Sequence, residues 1–191
     1  LITTFEYDEL NQLTSKTLLD TSVISYSYTA TGQRAKVIDS RGTTTYTYDA
    51  LDRLVSIAHP TGQTVSYSRD TNGNLESLSL PSASVTYAYD ALNRLTSVTA
   101  PEGQSHYTYD LAGNRVRLAA ANGILTDYQY NNRNRPTQLT HSSMGGTVVQ
   151  SFTNVFSPAG RRTKVTELDG SIENYTYDGQ GRLQSEIRTG T

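Results

Sequence analysis

Short stretches in which apolar and polar residues alternate recur along the whole chain, as in LVSIAH from Leu54, LESLSL from Leu75 and LTSVTA from Leu95. Alternation with a period of two marks strands with unlike faces, because successive side chains of extended backbone point to opposite sides. Each of these stretches follows another that carries aromatic residues two apart, such as Tyr46 and Tyr48 or Tyr87 and Tyr89. The two aromatics of a pair therefore share one face of a strand. No 3.6-residue period and no helix cap competes, so the pattern predicts strands throughout.

The alternation is itself periodic. FEYDELNQL, YSYTATGQR, YTYDALDRL, YSRDTNGNL, YAYDALNRL, YTYDLAGNR, YQYNNRNRP, NVFSPAGRR and YTYDGQGRL are variants of one phrase. With the second aromatic of each as position zero, repeats 1 to 9 are centred on Tyr7, Tyr28, Tyr48, Arg69, Tyr89, Tyr109, Tyr130, Phe156 and Tyr177. The spacings are 21, 20, 21, 20, 20, 21, 26 and 21 residues. All 14 tyrosines fall on position zero or two before it, the latter being Tyr26, Tyr46, Tyr67, Tyr87, Tyr107, Tyr128 and Tyr175. Self-similarity at such a period predicts a repeat architecture.

Each phrase contains a turn. Position +1 is Asp8, Asp49, Asp70, Asp90, Asp110 or Asp178, a short carboxylate that can bond backbone amides two residues on. Position +4 is Gly32, Gly73, Gly113, Gly160 or Gly181, and otherwise Asn11, Asp52, Asn93 or Asn134, all types that tolerate a left-handed backbone. Position +5 is often arginine, as in Arg53, Arg94 and Arg182. A second breaker closes each period, with Gly42, Gly62, Gly103, Gly123 and Gly170 at +14 and Pro60, Pro81 and Pro101 at +12. One period is thus strand, turn, strand, turn. The seventh carries five extra residues around HSSMGGTVV, which reads as a longer loop.

The return strand suggests unequal faces. Position +9 is Val37, Ile57, Leu78, Val98, Leu118, Leu139 or Val165, with Lys16 and Glu186 in the end repeats, so it faces an apolar layer. Strict alternation puts +6 and +8 on the opposite face, where Leu and Ser give way to Arg34 with Lys36, Arg115 with Arg117, and Arg162 with Lys164. Burying six cations in a dry core costs several kcal/mol each, so that face is expected to be wet.

Composition agrees with a thin structure. Apolar residues make up 35%, below the roughly 45–50% of typical domains, which argues against a deep core. A net charge of −2 gives neither the signature of a disordered chain nor an electrostatic footprint for nucleic acid or an anionic membrane. There is no cysteine, hence no disulfide and no thiolate metal site. No apolar run approaches a membrane span and no signal segment opens the chain. The start at Leu1 and the stop within a repeat suggest a fragment of a longer protein.

The phrase Y-x-Y-D-x-x-G-R-L, with its P-x-G turn a dozen residues later, resembles the YD or Rhs repeat of bacterial polymorphic toxins, insecticidal toxin-complex C subunits and animal teneurins. The likeness runs over residues 1–191 as a single array and is closest from Tyr46 to Tyr109; it departs at Arg69, Tyr130 and Phe156. It implies an all-β tandem array of about nine hairpins in a curved, spiral sheet strip, a segment of a hollow shell. It further implies a secreted or cell-surface protein whose partners are flanking repeats and an enclosed C-terminal toxin domain. Toxin-bearing members resemble repeats followed by a D-P-x-G core with an aspartyl autoprotease. This chain has no Asp-Pro pair, so that activity is not assigned to it.

Sharper chemistry finds little footing in the residues. Asp49 with Arg53 and Asp90 with Arg94 read as turn caps and surface ion pairs, since a device made nine times is architecture whereas an active site is made once. His59, His106 and His141 share no ligand spacing. No nucleophile elbow, phosphate loop or H-E-x-x-H is present. The expectation is a protein that is not an enzyme, with no cofactor and no nucleic-acid partner, whose tyrosines form ladders between neighbouring hairpins. The alternative is a carbohydrate-binding or adhesive module using those tyrosines as a platform for glycans. Open sheet edges at either end are expected to promote self-association.

Overall fold

The structure, a computed structural model, describes residues 2–190. Every regular element is a strand, and together they form an 18-stranded antiparallel sheet. The chain divides into two units, one through Tyr87 and one from Ala88. The first holds β1 (Thr4–Tyr7), β2 (Leu13–Thr17), β3 (Val23–Tyr28), β4 (Arg34–Asp39), β5 (Gly42–Tyr48), β6 (Leu54–Ala58), β7 (Thr64–Arg69), β8 (Leu75–Leu80) and most of β9 (Ala83–Tyr89). The second holds β10 (Leu95–Ala100), β11 (Gly103–Tyr109), β12 (Arg115–Ala119), β13 (Ile124–Tyr130), β14 (Pro136–Ser143), β15 (Val148–Phe156), β16 (Arg162–Glu167), β17 (Ile172–Tyr177) and β18 (Leu183–Thr189). Within each unit successive strands pair as a meander.

The odd-numbered strands end on the zero aromatic, and the turn that follows has one geometry in every repeat. In repeat 3, Asp49 N–H donates to the Arg53 carbonyl and Asp52 N–H donates to the Asp49 carbonyl, both at 3.0 Å. This is a three-residue hairpin loop, a type I turn closed by one left-handed residue. The left-handed residue is +4 in all nine repeats, with φ between 56° at Asp52 and 89° at Gly73. That explains why only Gly, Asn and Asp stand there.

A β-bulge follows from the same geometry. In four hairpins of each unit the register slips between positions −1 and zero, so that Tyr46 faces Ile57 and Thr47 faces Ser56, but Tyr48 faces Leu54. One residue, +7, is extra on the return strand. The slip corrects the expectation that +6 and +8 share the face opposite +9. Arg34 lies 5.2 Å over the Tyr26 ring and Arg162 lies 4.9 Å over the Tyr175 ring, so +6 belongs with the tyrosines. Position +7 turns to the other side, where the Ser68 hydroxyl donates to Glu76 at 3.4 Å. Lys36, Arg117 and Lys164 stay on that second face, whereas Arg34, Arg115 and Arg162 do not.

In three hairpins small hydroxyls of the second face pair across the strands, Thr47–Ser56, Ser68–Ser77 and Thr176–Ser185, at 2.7–2.8 Å. On the tyrosine face position −2 packs against +9. Among the described residues Val165 is the one buried hydrophobe, and Thr126 and Ser171 are the buried polar residues. Stability must therefore come from contacts between neighbouring hairpins and not from a shared interior.

The seventh repeat differs from expectation. Its turn, Ser143 to Thr147, is as tight as the others, with Ser143 N–H donating to Thr147 at 2.8 Å. The five extra residues lengthen β14 and β15 to 8 and 9 residues instead. Thr140, Val148 and Val149 are β-branched and favour extended backbone, and the added length of β14 finds a partner in Ile124–Leu125 of β13. Backbone groups that would have stood open in a loop are thus bonded in the ladder.

Candidate functional site: the tyrosine-aspartate turn

The residues singled out by the repeat converge at each of these turns. The side-chain oxygen of position +1 caps the loop. Asp49 Oδ1 accepts from the amides of Leu51 and Arg53 at 2.9 and 3.0 Å, and Oδ2 accepts from Arg53 Nε at 2.7 Å. Asp90 with Arg94 and Asp178 with Arg182 repeat the arrangement at 2.7 Å, and Asp70 and Asp110 bond the amides of Asn74 and Asn114 instead. Where the aspartate is missing, another oxygen does the same work: Thr29 Oγ1, Asn131 Oδ1 and Ser157 Oγ accept from the +5 amide at 3.0–3.2 Å. The hydrogen bonds hold the aspartates ionised. The backbone amides of Arg53 and Arg94 lower the pKa of Asp49 and Asp90, and the side chains of Asn74, Asn114 and Arg182 lower those of Asp70, Asp110 and Asp178.

The zero tyrosine joins this turn to the preceding one. Tyr28, Tyr48, Tyr109, Tyr130 and Tyr177 donate their hydroxyls to the carbonyls of Leu13, Arg34, Leu95, Arg115 and Arg162, each at 2.8–2.9 Å. The acceptor is always +6 of the repeat before. Phe156 has no hydroxyl, and there Asn154, at −2 in place of a tyrosine, donates from Nδ2 to the Pro136 carbonyl at 3.1 Å. Two departures from the phrase in one repeat thus compensate each other. Arg69 is different, for its Nε is buried without a partner.

A further link was missed by reading repeats one at a time. The +5 arginine reaches forward over the next repeat: Arg94, Arg135 and Arg161 lie 4.7, 5.9 and 5.7 Å from the rings of Tyr109, Phe156 and Tyr177. Arg94 also donates to the Asp110 carbonyl at 3.3 Å. In this position the guanidinium covers the next +4 residue. A Cβ on Gly160 or Gly181 would overlap Arg135 or Arg161, and one on Gly73 would stand 3.1 Å from Arg53. Where +5 is an amide the next +4 can carry a side chain, and Asn114 Nδ2 donates to Asn134 Oδ1 at 3.0 Å. Within the units arginine is always followed by glycine (Arg53 and Gly73, Arg94 and Gly113, Arg135 and Gly160, Arg161 and Gly181), whereas Gln33 and Asn114 are followed by Asp52 and Asn134; Gln12 with Gly32 departs from this. The signal lay in the sequence as a pairing between consecutive repeats.

Four of the −2 tyrosines, Tyr26, Tyr107, Tyr128 and Tyr175, lie against arginine side chains. Arg115 lies 6.0 Å over Tyr107 and 4.7 Å over Tyr128, and it donates to the Tyr128 hydroxyl at 2.6 Å. Such contacts add about 0.5–1 kcal/mol each at exposed sites. The histidines are dispersed: among the described residues no three metal-ligating side chains converge, and His141 Nδ1 is bonded to Thr126 Oγ1 at 2.9 Å.

Comparison with known proteins follows the same geometry. Six overlapping segments, residues 7–44, 28–64, 48–85, 69–105, 89–124 and 109–143, match the family described as RHS Repeat. No curated protein matches the sequence. Among solved structures, a Tc holotoxin pore of Photorhabdus luminescens with a mutated TccC3 matches 97% of this chain at 15% identity and a TM-score of 0.66. TcdB2–TccC3 without its hypervariable C-terminal region matches 95% at 14% identity and a TM-score of 0.69. The chain spans 13% and 12% of those two chains, and identities this low speak for the fold alone.

Proposed function

Because this chain belongs to the RHS repeat family, we propose that it is a non-catalytic wall segment of a secreted or cell-surface shell that encloses or displays another polypeptide, a C-terminal toxin domain of the same protein. The observation that carries this reading is the use to which the repeated groups are put. The capping aspartates and most of the zero tyrosines and +5 arginines bond a turn or its neighbour, so the tyrosine-aspartate signature serves to join hairpins into sheet. The names of the two structural relatives support it, one being a toxin pore and the other having been solved without a hypervariable C-terminal region.

Limited proteolysis with mass spectrometry on the full-length polypeptide that carries these repeats tests the proposal. A C-terminal segment that resists digestion while the repeats are folded, and is degraded once they are opened with denaturant, is the expected result. Digestion of that segment at equal rates in both conditions would overturn enclosure.

A further inference from the structure

We propose that the recess between the β13–β14 and β15–β16 turns of the second unit binds a phosphate group, as inorganic phosphate or as the monoester of a small molecule. The recess measures about 310 Å³ and is lined by Asn131, Arg133 and Arg135 from the first turn and by Phe156, Ser157 and Pro158 from the second.

Its charge sets it apart from the other turns of the array. Where +5 is arginine in repeats 3, 5 and 9, the aspartate at +1 neutralises it at 2.7 Å. In repeats 7 and 8 the +1 residue is Asn131 or Ser157, so Arg135 and Arg161 keep a capped turn and lose the countercharge. Arg133 adds a second cation to the recess, at a +3 position that is uncharged in the other eight repeats. Among the described residues neither Arg133 nor Arg135 forms an ion pair, and the lining of the recess holds no carboxylate. Two like charges on one short turn repel each other, a cost the aspartate repeats avoid and a bound anion offsets.

The donors of the lining select the ligand class. Asn131 Oδ1 accepts from the amides of Arg133 and Arg135 at 3.0 and 3.1 Å, as Asp49 Oδ1 does from Leu51 and Arg53. The other end of the group, a carboxylate oxygen bonded to arginine in Asp49, is here the donor Nδ2. Arg133 is held toward the second turn by a 2.7 Å bond from Nη1 to the Pro158 carbonyl, which leaves its remaining N–H groups for a ligand. Ser157 Oγ accepts from the Arg161 amide at 3.2 Å and keeps its own hydrogen to donate. Two guanidinium groups, an amide and a hydroxyl thus meet without an anionic acceptor among them. A phosphomonoester supplies the complement, a charge of about −1.5 to −2 at neutral pH and three strong acceptor oxygens. A carboxylate, with one charge and two oxygens, satisfies fewer of these donors. Arg135 covers the Phe156 ring at 5.9 Å, so that ring is not an open platform for an apolar ligand.

Heteronuclear NMR on the full chain tests the assignment, with inorganic phosphate, glycerol 3-phosphate and acetate titrated at mildly alkaline pH and at ionic strength matched with sodium chloride. The signals to follow are the Nε–H groups of Arg133 and Arg135 and the backbone amides of both turns. At least one of the two phosphates should shift them saturably, the tighter of the two identifying the source, and acetate should bind more weakly than either. Asn131→Asp restores the cap and ion pair of repeats 3, 5 and 9, so it is expected to melt no lower than the parent and to lose phosphate binding. Arg133→Ala, which removes an exposed side chain, should lose it as well. No saturable shift with either phosphate, acetate binding as tightly as phosphate, or binding that persists undiminished in either variant would overturn the proposal. The wall function stands or falls separately by proteolysis.

Discussion

Two neighbouring junctions of the second unit solve one problem differently. Between repeats 5 and 6, Arg94 lies over the Tyr109 ring and beside Gly113; between repeats 6 and 7, Asn114 is shorter and bonds the Asn134 side chain directly. The tyrosine hydroxyl reaches back to the preceding +6 carbonyl in both, at 2.8 and 2.9 Å. The backbone anchor is therefore constant, and the side-chain fit above it is a matched pair drawn from consecutive repeats. A residue that looks variable within its own repeat is constrained by the one about twenty residues earlier.

Mixing the two solutions tests the match directly. In Gly160→Asn the new side chain meets the Arg135 guanidinium, which already occupies the space of a Cβ. The guanidinium is the flexible end of its side chain and must swing off the Phe156 ring, giving up a cation–π contact worth about 0.5–1 kcal/mol. Asparagine itself accepts the left-handed backbone, as Asn134 does at φ 57°, so the cost belongs to the neighbour and not to the turn. Arg135→Asn in the same chain should recover most of it, with a coupling of about 0.5 kcal/mol in a double-mutant cycle read by urea denaturation. Additive losses would mean that the two positions do not sense each other.

Repeat 4 offers the opposite experiment, a defect to be repaired. Arg69 buries an unpaired Nε where a tyrosine belongs, and a buried donor without a partner costs about 1–3 kcal/mol. Arg69→Tyr removes that donor, supplies a hydroxyl for the Leu54 carbonyl, and gives Arg53 a ring to cover. The urea midpoint should rise. A midpoint that stays or falls would show that Arg69 has a role the repeat pattern does not reveal.

These junctions also mark what was legible beforehand. The period, the strand pairs, the capping aspartates and the left-handed +4 position could all be read from residue types, because each is fixed by backbone geometry within one hairpin. The side to which +6 points was misread, since a bulge displaces alternation without any residue that announces it; leucine and arginine both stand at +6. The insertion of repeat 7 was misread as a loop because glycines and serines drew attention, while Val148 and Val149 carried the strand. Compensation by Asn154 was invisible in isolation, for it needs two repeats in register before an amide can replace a phenol.

A smaller effect, common to both kinds of junction, comes with acid. Asp49, Asp70, Asp90, Asp110 and Asp178 ionise more readily in the fold than at the ordinary value of 3.8. Their contribution is complete above that value and is lost as pH falls through the lower folded pKa. Melting temperature should be level at neutral and mildly acidic pH and drop only below about pH 4. Thr29, Asn131 and Ser157 cap without a titrating charge, so hydrogen exchange should show their turns loosening less in acid than those of Asp49 and Asp110. Equal loosening at both classes of turn would contradict the carboxylate account.

The finest comparison sets repeat 8 against repeat 9. Tyr177 bonds the Arg162 carbonyl with its own hydroxyl, whereas Phe156 leaves the Pro136 carbonyl to Asn154. Phe156→Tyr adds a donor to an acceptor already in use, and although a carbonyl oxygen has a second lone pair, the gain should stay within about 0.5 kcal/mol. Its value lies in what it does to the neighbour. Asn154→Ala in the parent strips the Pro136 carbonyl of its donor and should lower stability by about 1 kcal/mol. In the Phe156→Tyr background the phenol holds that carbonyl, and the same substitution should have almost no effect. If Asn154→Ala is equally costly in both, the amide is doing something other than replacing a missing hydroxyl, and the idea that the array conserves one link by whichever side chain can supply it fails at the repeat where it is most exposed to test.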